Sequence, residues 1–300
     1  MAATARRQQN TLSSARLREA LVGYAFIAVP MGIFFVFFIY PLLYSLYISR
    51  YDWGVFGKIE TVGWANYQEL WHDEIFWRSI KTTLKYTVVV VPVEMALALS
   101  LAVIVNAGIR GRSFFRSAFY FPSLASSAAI TAIAIYILSA DGLLNAIIGG
   151  DRSWFGDSDT ALWSIAGLNA WTTSGTMMLF YLAALQAIPT DVYEAAAMDG
   201  AKTWRTFWKI TFPLLKPAHF FCLVVFGIGA LKLFDQAFLI AGGASGSPNY
   251  STMYPIIYIY NAAFQVYDFG LAAAAGVIYF VLIFGLTVVQ RLTVGRQEAA

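Results

Sequence analysis

Charged side chains are scarce in this chain. Asp, Glu, Lys and Arg make up 12% of 300 residues, while 59% are hydrophobic and 17% aromatic. A soluble domain carries roughly a quarter charged residues, and one this apolar could not cover its surface with polar groups. The composition excludes a soluble globular protein and points to an integral membrane protein. Cysteine is nearly absent. The single one, Cys222, lies in an apolar run, which excludes a disulfide within the chain and a cysteine metal cluster. The two histidines, His72 and His219, are far apart in sequence and argue against a histidine metal centre. No nucleophile elbow, no HExxH and no glycine-rich phosphate loop with a lysine occurs, so no catalytic set is visible. Without a Walker A sequence the chain does not itself bind ATP in the usual way. Uphill movement of a solute would draw on a partner or on an ion gradient.

Apolar sequence is abundant, and it comes in long runs. Six of them, Leu21–Tyr47, Tyr86–Val105, Ala118–Leu138, Ala161–Ala187, Ala218–Ile240 and Phe269–Val289, are each long enough to cross about 30 Å of hydrocarbon as a helix. The expected fold is all-α: a polytopic membrane protein with six transmembrane helices. The first run contains Pro30 and Pro41, and the fourth has a polar middle, Asn169–Thr176, so each is either one tilted helix or two segments. The polar N-terminus carries Arg6, Arg7, Arg16 and Arg18. The run that follows is too long for a signal-peptide core and lacks a small-residue cleavage site, so it is expected to be a retained first span.

Orientation follows from Lys and Arg. With the N-terminus inside, thirteen cations fall in cytosolic segments: the four N-terminal arginines, Arg110, Arg112, Arg116, Lys202, Arg205, Lys209, Lys216, Arg291 and Arg296. The outer loops hold six: Arg50, Lys58, Arg78, Lys81, Lys85 and Arg152. Both termini are therefore expected in the cytosol. The first outer loop, Arg50–Lys85, is long enough to form a small ordered cap. Its Trp53, Trp64, Trp71 and Trp77 either anchor at the interface or contact an external partner.

One polar island, Glu194–Pro217, separates two long apolar runs and must sit in water. It reads as two short helices around Gly200. Asp191 and Glu194 have capping-box spacing, and glycine is a natural helix stop. In the second helix Trp204, Phe207 and Trp208 share one face while Lys202, Arg205 and Lys209 share another, and Pro213 is expected to end it. An amphipathic, aromatic-faced helix shown to the cytosol offers a docking surface.

Three ionisable residues fall at apparent membrane depth: Glu94, Lys232 and Asp235. Burying a charge there costs about 2.5–3.5 kcal/mol on insertion scales, so each should face a partner, protein interior or water. Lys232 and Asp235, three apart, either pair as a structural salt bridge, mark a misplaced span end, or line a solute path. Glu94 follows Pro92 and is either structural or functional. Ala125, Ala128, Ala129 and Ala132 suit close helix packing, in the core or against a second subunit. The hydroxyls and amide of the fourth run, Asn169, Thr172, Thr173, Ser174 and Thr176, flank Trp171. That combination suits either a sugar, with its hydroxyl edges and apolar faces, or hydrogen bonding between helices.

Glu194-Ala195-Ala196, then Asp199-Gly200-Ala201, Phe207, Ile210, Pro213 and Pro217 resemble the EAA motif of the permease subunits of bacterial binding-protein-dependent ABC importers. Tyr40-Pro41-Leu42-Leu43-Tyr44-Ser45-Leu46 is similar to the first-span signature of the carbohydrate-uptake branch, and Val62-Gly63-Trp64-Ala65-Asn66-Tyr67 with Phe76-Trp77 to its first outer loop. Phe115-Arg116, Phe121-Pro122, Ala184-Leu185-Gln186 with Ile188-Pro189, and Phe234-Asp235 extend the resemblance over nearly the whole chain. The long outer loop and Trp53 favour the maltose and glycerol-3-phosphate type of first permease. One departure is the stretch Ala241–Pro248, longer than the compact Thr-Gly-Gly-Gly-Pro-like turn of the family.

The resemblance implies a permease subunit with no catalytic residue, metal or cofactor of its own, ATP and magnesium being held by two partner ATPase subunits. It also implies a second permease, an extracytoplasmic solute-binding protein, a carbohydrate substrate and a bacterial inner-membrane location, with lipid and no nucleic acid as surroundings. Residues 1–20 would be a cytosolic segment, 21–291 the membrane domain with a coupling segment at 190–217, and 292–300 a cytosolic tail. Glu194, Ala195, Ala196, Asp199, Gly200, Ala201, Phe207 and Pro213 would couple to the ATPases. Asn169, Trp171, Thr172, Thr176, Lys232 and Asp235 are the solute-path candidates. The rival is a stand-alone secondary transporter or channel, which would often show inverted repeats and more intramembrane charge.

Overall fold

A computed structural model describes residues 19–107, 110–246 and 248–293. The arginines 6, 7, 16, 18 and 296 used above for orientation, and Ser247 in the glycine-rich stretch, lie outside the described residues. Helix α1 spans Glu19–Ile48 and is followed by a hairpin of β1 (Tyr51–Gly54) and β2 (Gly57–Thr61). Then come α2 (Ala65–His72), α3 (Glu74–Asn106), α4 (Arg112–Leu124), α5 (Ser127–Ile137), α6 (Leu143–Ile148) and α7 (Ala161–Gln186). The short α8 (Thr190–Met198) leads to α9, a helical stretch from Thr203–Thr206 through Phe207–Thr211 to Phe212–Leu214. There follow α10 (Lys216–Leu231), α11 (Asp235–Ile240), α12 (Pro255–Phe264) and α13 (Phe269–Thr293).

Among the described residues, four helical stretches are long and apolar enough to cross a membrane: Glu19–Ile48, Glu74–Asn106, Lys216–Ile240 and Phe269–Thr293. The pair α4 and α5 qualifies only as a broken span, bent by 94°. Ala125 and Ser126 are both extended there, at ψ 154 and 128, and Pro122 has already removed one backbone donor. The expected alanine face of Ala125, Ala128, Ala129 and Ala132 is thereby split, because Ala125 lies at the break. Helix α7 is one continuous helix of 26 residues, yet its polar middle keeps it below the same hydropathy threshold. It is also the most enclosed element: Ile165, Met177, Met178 and Tyr181 are fully buried. Its side chains pack on α3 along most of its length, from Tyr86 and Val90 at one end to Ala98 and Ala102 at the other. Gly175 marks the closest crossing, where a Cβ would stand 2.3 Å from Phe119 O on α4.

Helix α3 begins well before the expected start at Tyr86. Asp73 caps it, its Oδ1 accepting from Ile75 N at 2.7 Å and Phe76 N at 3.0 Å. At 33 residues it is about 50 Å long, some 20 Å more than the hydrocarbon needs. The surplus rises into an ordered cap. The hairpin was not foreseen in an all-α reading. It is held by Asn66, whose Nδ2 donates to Ser49 O and Tyr51 O, both at 3.0 Å. Gly270, near the start of α13, is where the cap docks: a Cβ there would lie 2.1 Å from Tyr51 O. Leu70, Phe76, Ile80, Leu271 and Ala275 form the small core beneath. Asp73 Oδ2 accepts from the Tyr258 hydroxyl, and burial together with this carboxylate pushes the Tyr258 pKa up.

Two π turns share one cause. Tyr40 N donates to Phe35 O, and Phe212 N to Phe207 O, each one residue farther than in an α-helix. Each turn is followed by a proline, Pro41 or Pro213. The proline ring has no N–H and crowds the carbonyl four residues back, so the preceding turn widens rather than breaks. Pro213 therefore does not end its helix as expected. The helix runs on to Leu214 and breaks at Leu215.

Candidate coupling surface and solute path

One end of the bundle collects the described cations Arg110, Arg112, Arg116, Lys202, Arg205, Lys209, Lys216 and Arg291, where α8 and α9 join α7 to α10. The turn between α8 and α9 is a Schellman motif. Ala201 N donates to Ala196 O at 2.9 Å and Gly200 N to Ala197 O at 3.0 Å, with Gly200 at φ +70. This is the helix stop expected at Gly200. The expected capping box is not formed: the N-cap is Pro189 with no side-chain bond. Asp191 sits inside the first turn, where its charge complements the helix dipole. Tyr193 and Thr211 join the two helices through their hydroxyls, 3.3 Å apart.

Of the coupling candidates, Ala196 is buried, Ala201 and Phe207 are half-buried, and Glu194, Ala195, Asp199 and Gly200 are exposed. Pro213 is half-buried and lies on the far side of the π turn. The small side chain of Ala196 lets α8 lie close to the bundle, while the acidic and glycine positions face outward. On α9 the rings form a continuous ladder. Trp204 to Trp208 is 5.7 Å between centroids, Trp208 to Phe212 is 5.1 Å, and Phe212 to His219 is 4.5 Å. Trp204 is 74% exposed although it stands on the apolar face. His219 is fixed in turn by the Tyr181 hydroxyl, 2.9 Å from Nδ1.

The solute-path candidates divide. Asn169 Nδ2 donates to Gln236 Oε1 at 3.3 Å, and Thr173 Oγ1 lies 3.5 Å from Asn169 Oδ1. Thr172 bonds back to its own helix, to Leu168 O and Asn169 O. Thr176 is half-buried one turn further on. Asn169, Thr172, Thr173 and Thr176 share a face. Trp171 does not: it is 56% exposed and, two residues on, falls on the opposite side of the helix from Asn169. A single copy of the chain therefore does not bring the ring and the amide to one pocket. Gln236, buried beside Asn169, was missed in sequence. Its signal was an amide in an apolar run, directly after the Phe234-Asp235 pair.

Lys232 and Asp235 were expected three apart on one helix. The helix breaks between them, with Phe234 at φ −131 and ψ −61. Lys232 becomes the C-cap of α10 and Asp235 the first residue of α11, both exposed. Among the described residues the ion pair within 4.0 Å is Arg152–Asp157, at 3.7 Å, so the expected Lys232–Asp235 bridge is not formed. Lys232 borders an open cavity of about 440 Å³ with Ile228, Tyr279 and Thr287. Glu94 is buried in α3, its Oε1 without a partner.

The family profile described as "Binding-protein-dependent transport system inner membrane component" matches residues 94–298. Among curated proteins, the chain is 34% identical to the probable ABC transporter permease protein YesP of Bacillus subtilis, over 91% of this chain and 90% of that one. It is 34% identical to the lactose transport system permease protein LacF of Rhizobium radiobacter, over 89% and 92%. It is also 34% identical to the trehalose/maltose transport system permease protein MalF of Thermococcus litoralis, over 96% and 98%. In fold it is similar to a chain of a bacterial ABC transporter involved in the import of the acidic polysaccharide alginate. That match has a TM-score of 0.82 and 22% identity and covers 94% of this chain and 97% of the other.

Proposed function

Because the chain belongs to the binding-protein-dependent inner membrane components, as a permease subunit of an ABC importer, we propose that it carries a carbohydrate-class solute and takes its energy through α8 and α9. The names of its relatives support the solute class: lactose, trehalose/maltose and arabinooligosaccharides. In this reading the two helices are coupling helices seated on an ATPase subunit, and six membrane crossings place both termini in the cytosol. Helix α7 is the fourth crossing, and α4 with α5 is a broken third. Two ATPase subunits, a second permease and a solute-binding protein on the cap side complete the importer, and ATP and magnesium stay on the ATPases. The membrane domain runs over residues 21–291, with its coupling segment at 190–217.

The observation that carries this reading is the turn at Gly200. A left-handed glycine, two Schellman bonds and the Tyr193–Thr211 tie fix two short helices as one unit at the basic end of the bundle. Glu194, Asp199 and Gly200 point outward from it, where a partner can seat. Closure of the ATPases would move this unit as a body and rock the attached helices, which switches access. Trp171, turned outward from α7, would meet the solute path only once the second permease stands opposite. Asn169, Thr172 and Thr176 would supply hydroxyl and amide partners, and Lys232 and Asp235 border the same path at the α10–α11 break. Purification tests the assignment. An ATPase and a second permease should co-isolate with the wild-type chain, and Gly200→Val should lose the ATPase while the spans still insert. Wild-type ATPase recovery and uptake in that variant would overturn the coupling assignment.

A further inference from the structure

The ladder of rings on α9 faces an open apolar groove of about 720 Å³, with Leu99, Val103 and Ile104 of α3 on one wall and Trp204, Phe207 and Trp208 of α9 on the other. Along α3 the groove runs from Ala96 to Ile104, about 12 Å of helix axis. Asn106 ends that helix, which is long and apolar enough to cross a membrane and has an 18-residue stretch with a mean hydropathy of 2.6. The groove therefore lies within the leaflet nearest the basic end, and not in water. Depth limits its occupant. An ATPase seated from the aqueous side on the outward Glu194, Asp199 and Gly200 does not reach about 12 Å along α3 into hydrocarbon. A second membrane chain could, but its segments at this face would themselves be rich in Lys and Arg.

The face of α9 beside the rings is cationic. Arg205 and Lys209 follow directly on Trp204 and Trp208 and stand one turn apart, so they stack along one side of the ring ladder. Both are exposed, as is Lys202, and none of the three is within 4.0 Å of a carboxylate among the described residues. An apolar trough with exposed, unpaired cations on the adjoining face of one wall has the chemistry of an amphiphile with a negative head. We infer that this groove binds an anionic phospholipid, one acyl chain lying between α3 and α9 and the headgroup phosphate resting on Arg205 and Lys209. The inference rests on the membrane placement of α3 and not on the coupling role of Gly200.

The test uses the whole importer, solubilised with its partner subunits, stripped of lipid and titrated with phosphatidylglycerol or phosphatidylcholine. Native mass spectrometry counts the lipids retained. Phosphatidylglycerol should be retained in clear preference to phosphatidylcholine. Arg205→Gln with Lys209→Gln should lower that retention about thirtyfold, the loss expected for two near-surface cations. Ser100→Trp, which fills the groove from α3 and leaves both cations in place, should lower it as well. Equal retention of the two lipids, or unchanged retention in both variants, would overturn the inference. So would disulfide cross-linking of W204C to a cysteine of a partner subunit in the assembled importer, which would make the groove a subunit contact. The same spectra give subunit stoichiometry, so full ATPase retention in Gly200→Val with intact lipid retention counts against the coupling reading alone.

Discussion

Gly200 separates a conformational requirement from a packing requirement. At φ +70 an L-residue pays for the left-handed backbone, but a Cβ built there meets no atom within 4 Å. A substitution therefore creates no clash, and its whole cost is that of the left-handed conformation, about 1–2 kcal/mol for an ordinary side chain. Asn tolerates this region best and a β-branched residue least. A penalty of this size lowers the population of the native turn by a factor of roughly 5–30. The membrane helices do not depend on it, since Leu185 and Leu215 are packed in the bundle core on either side. Uptake and ATPase co-purification should therefore fall in the order Gly, Asn, Ala, Val, while insertion and monodispersity of the permease stay at the wild-type level. The assay is sugar uptake alongside ATPase recovery for the four versions at matched expression. Equal activity in all four, or a fall in Ala and Asn to the same extent as Val, would refute a conformational role for this turn.

Four further outcomes are expected. A cysteine at Glu60, in the exposed hairpin, should react with an impermeant thiol reagent in intact cells once Cys222 is removed, whereas one at Lys202 should not; the reverse pattern would invert the topology. Gly175→Ala sets a Cβ 2.3 Å from a backbone carbonyl of α4, and thermal unfolding of the purified importer should show a loss of about 1–3 kcal/mol. Asn169→Ala and Gln236→Ala remove opposite halves of one amide pair, so their stability losses should be non-additive by about 0.6 kcal/mol in a double-mutant cycle; strict additivity would dissolve the pair. For at least one of Asn169→Ala and Trp171→Ala the importer should assemble and yet change uptake in a way that depends on the sugar offered; intact importers with unchanged uptake across a sugar panel would remove α7 from the path.

Hydropathy reports how long a segment stays apolar, and this made the first, second, fifth and sixth apolar runs legible as spans. It is blind to where the backbone turns inside such a segment. The break at Ala125–Ser126 splits a run that reads as one span, and the break at Leu233–Phe234 puts Lys232 and Asp235 on different helices. Gly200 was legible because glycine after an alanine-rich helix has one common use. Pro213 misled, because a proline can be absorbed by a π turn as well as end a helix, and sequence alone does not choose. The hairpin of the cap was hidden for another reason. Its strands, Tyr51–Gly54 and Gly57–Thr61, are short and polar and are fixed by Asn66 and Gly270 from elsewhere in the chain. The Asn169–Gln236 contact was illegible for the same reason, since its two halves lie on different helices.

The central claim is that this chain imports its solute only as one subunit of an ATP-driven assembly. Reconstitution into proteoliposomes tests it directly, with uptake of a radiolabelled sugar panel measured for the chain alone under an imposed proton or sodium gradient and for the co-isolated assembly with binding protein and internal ATP. Uptake is expected only from the assembly, and only with ATP. Gradient-driven uptake by the chain alone, without any ATPase subunit, would contradict it.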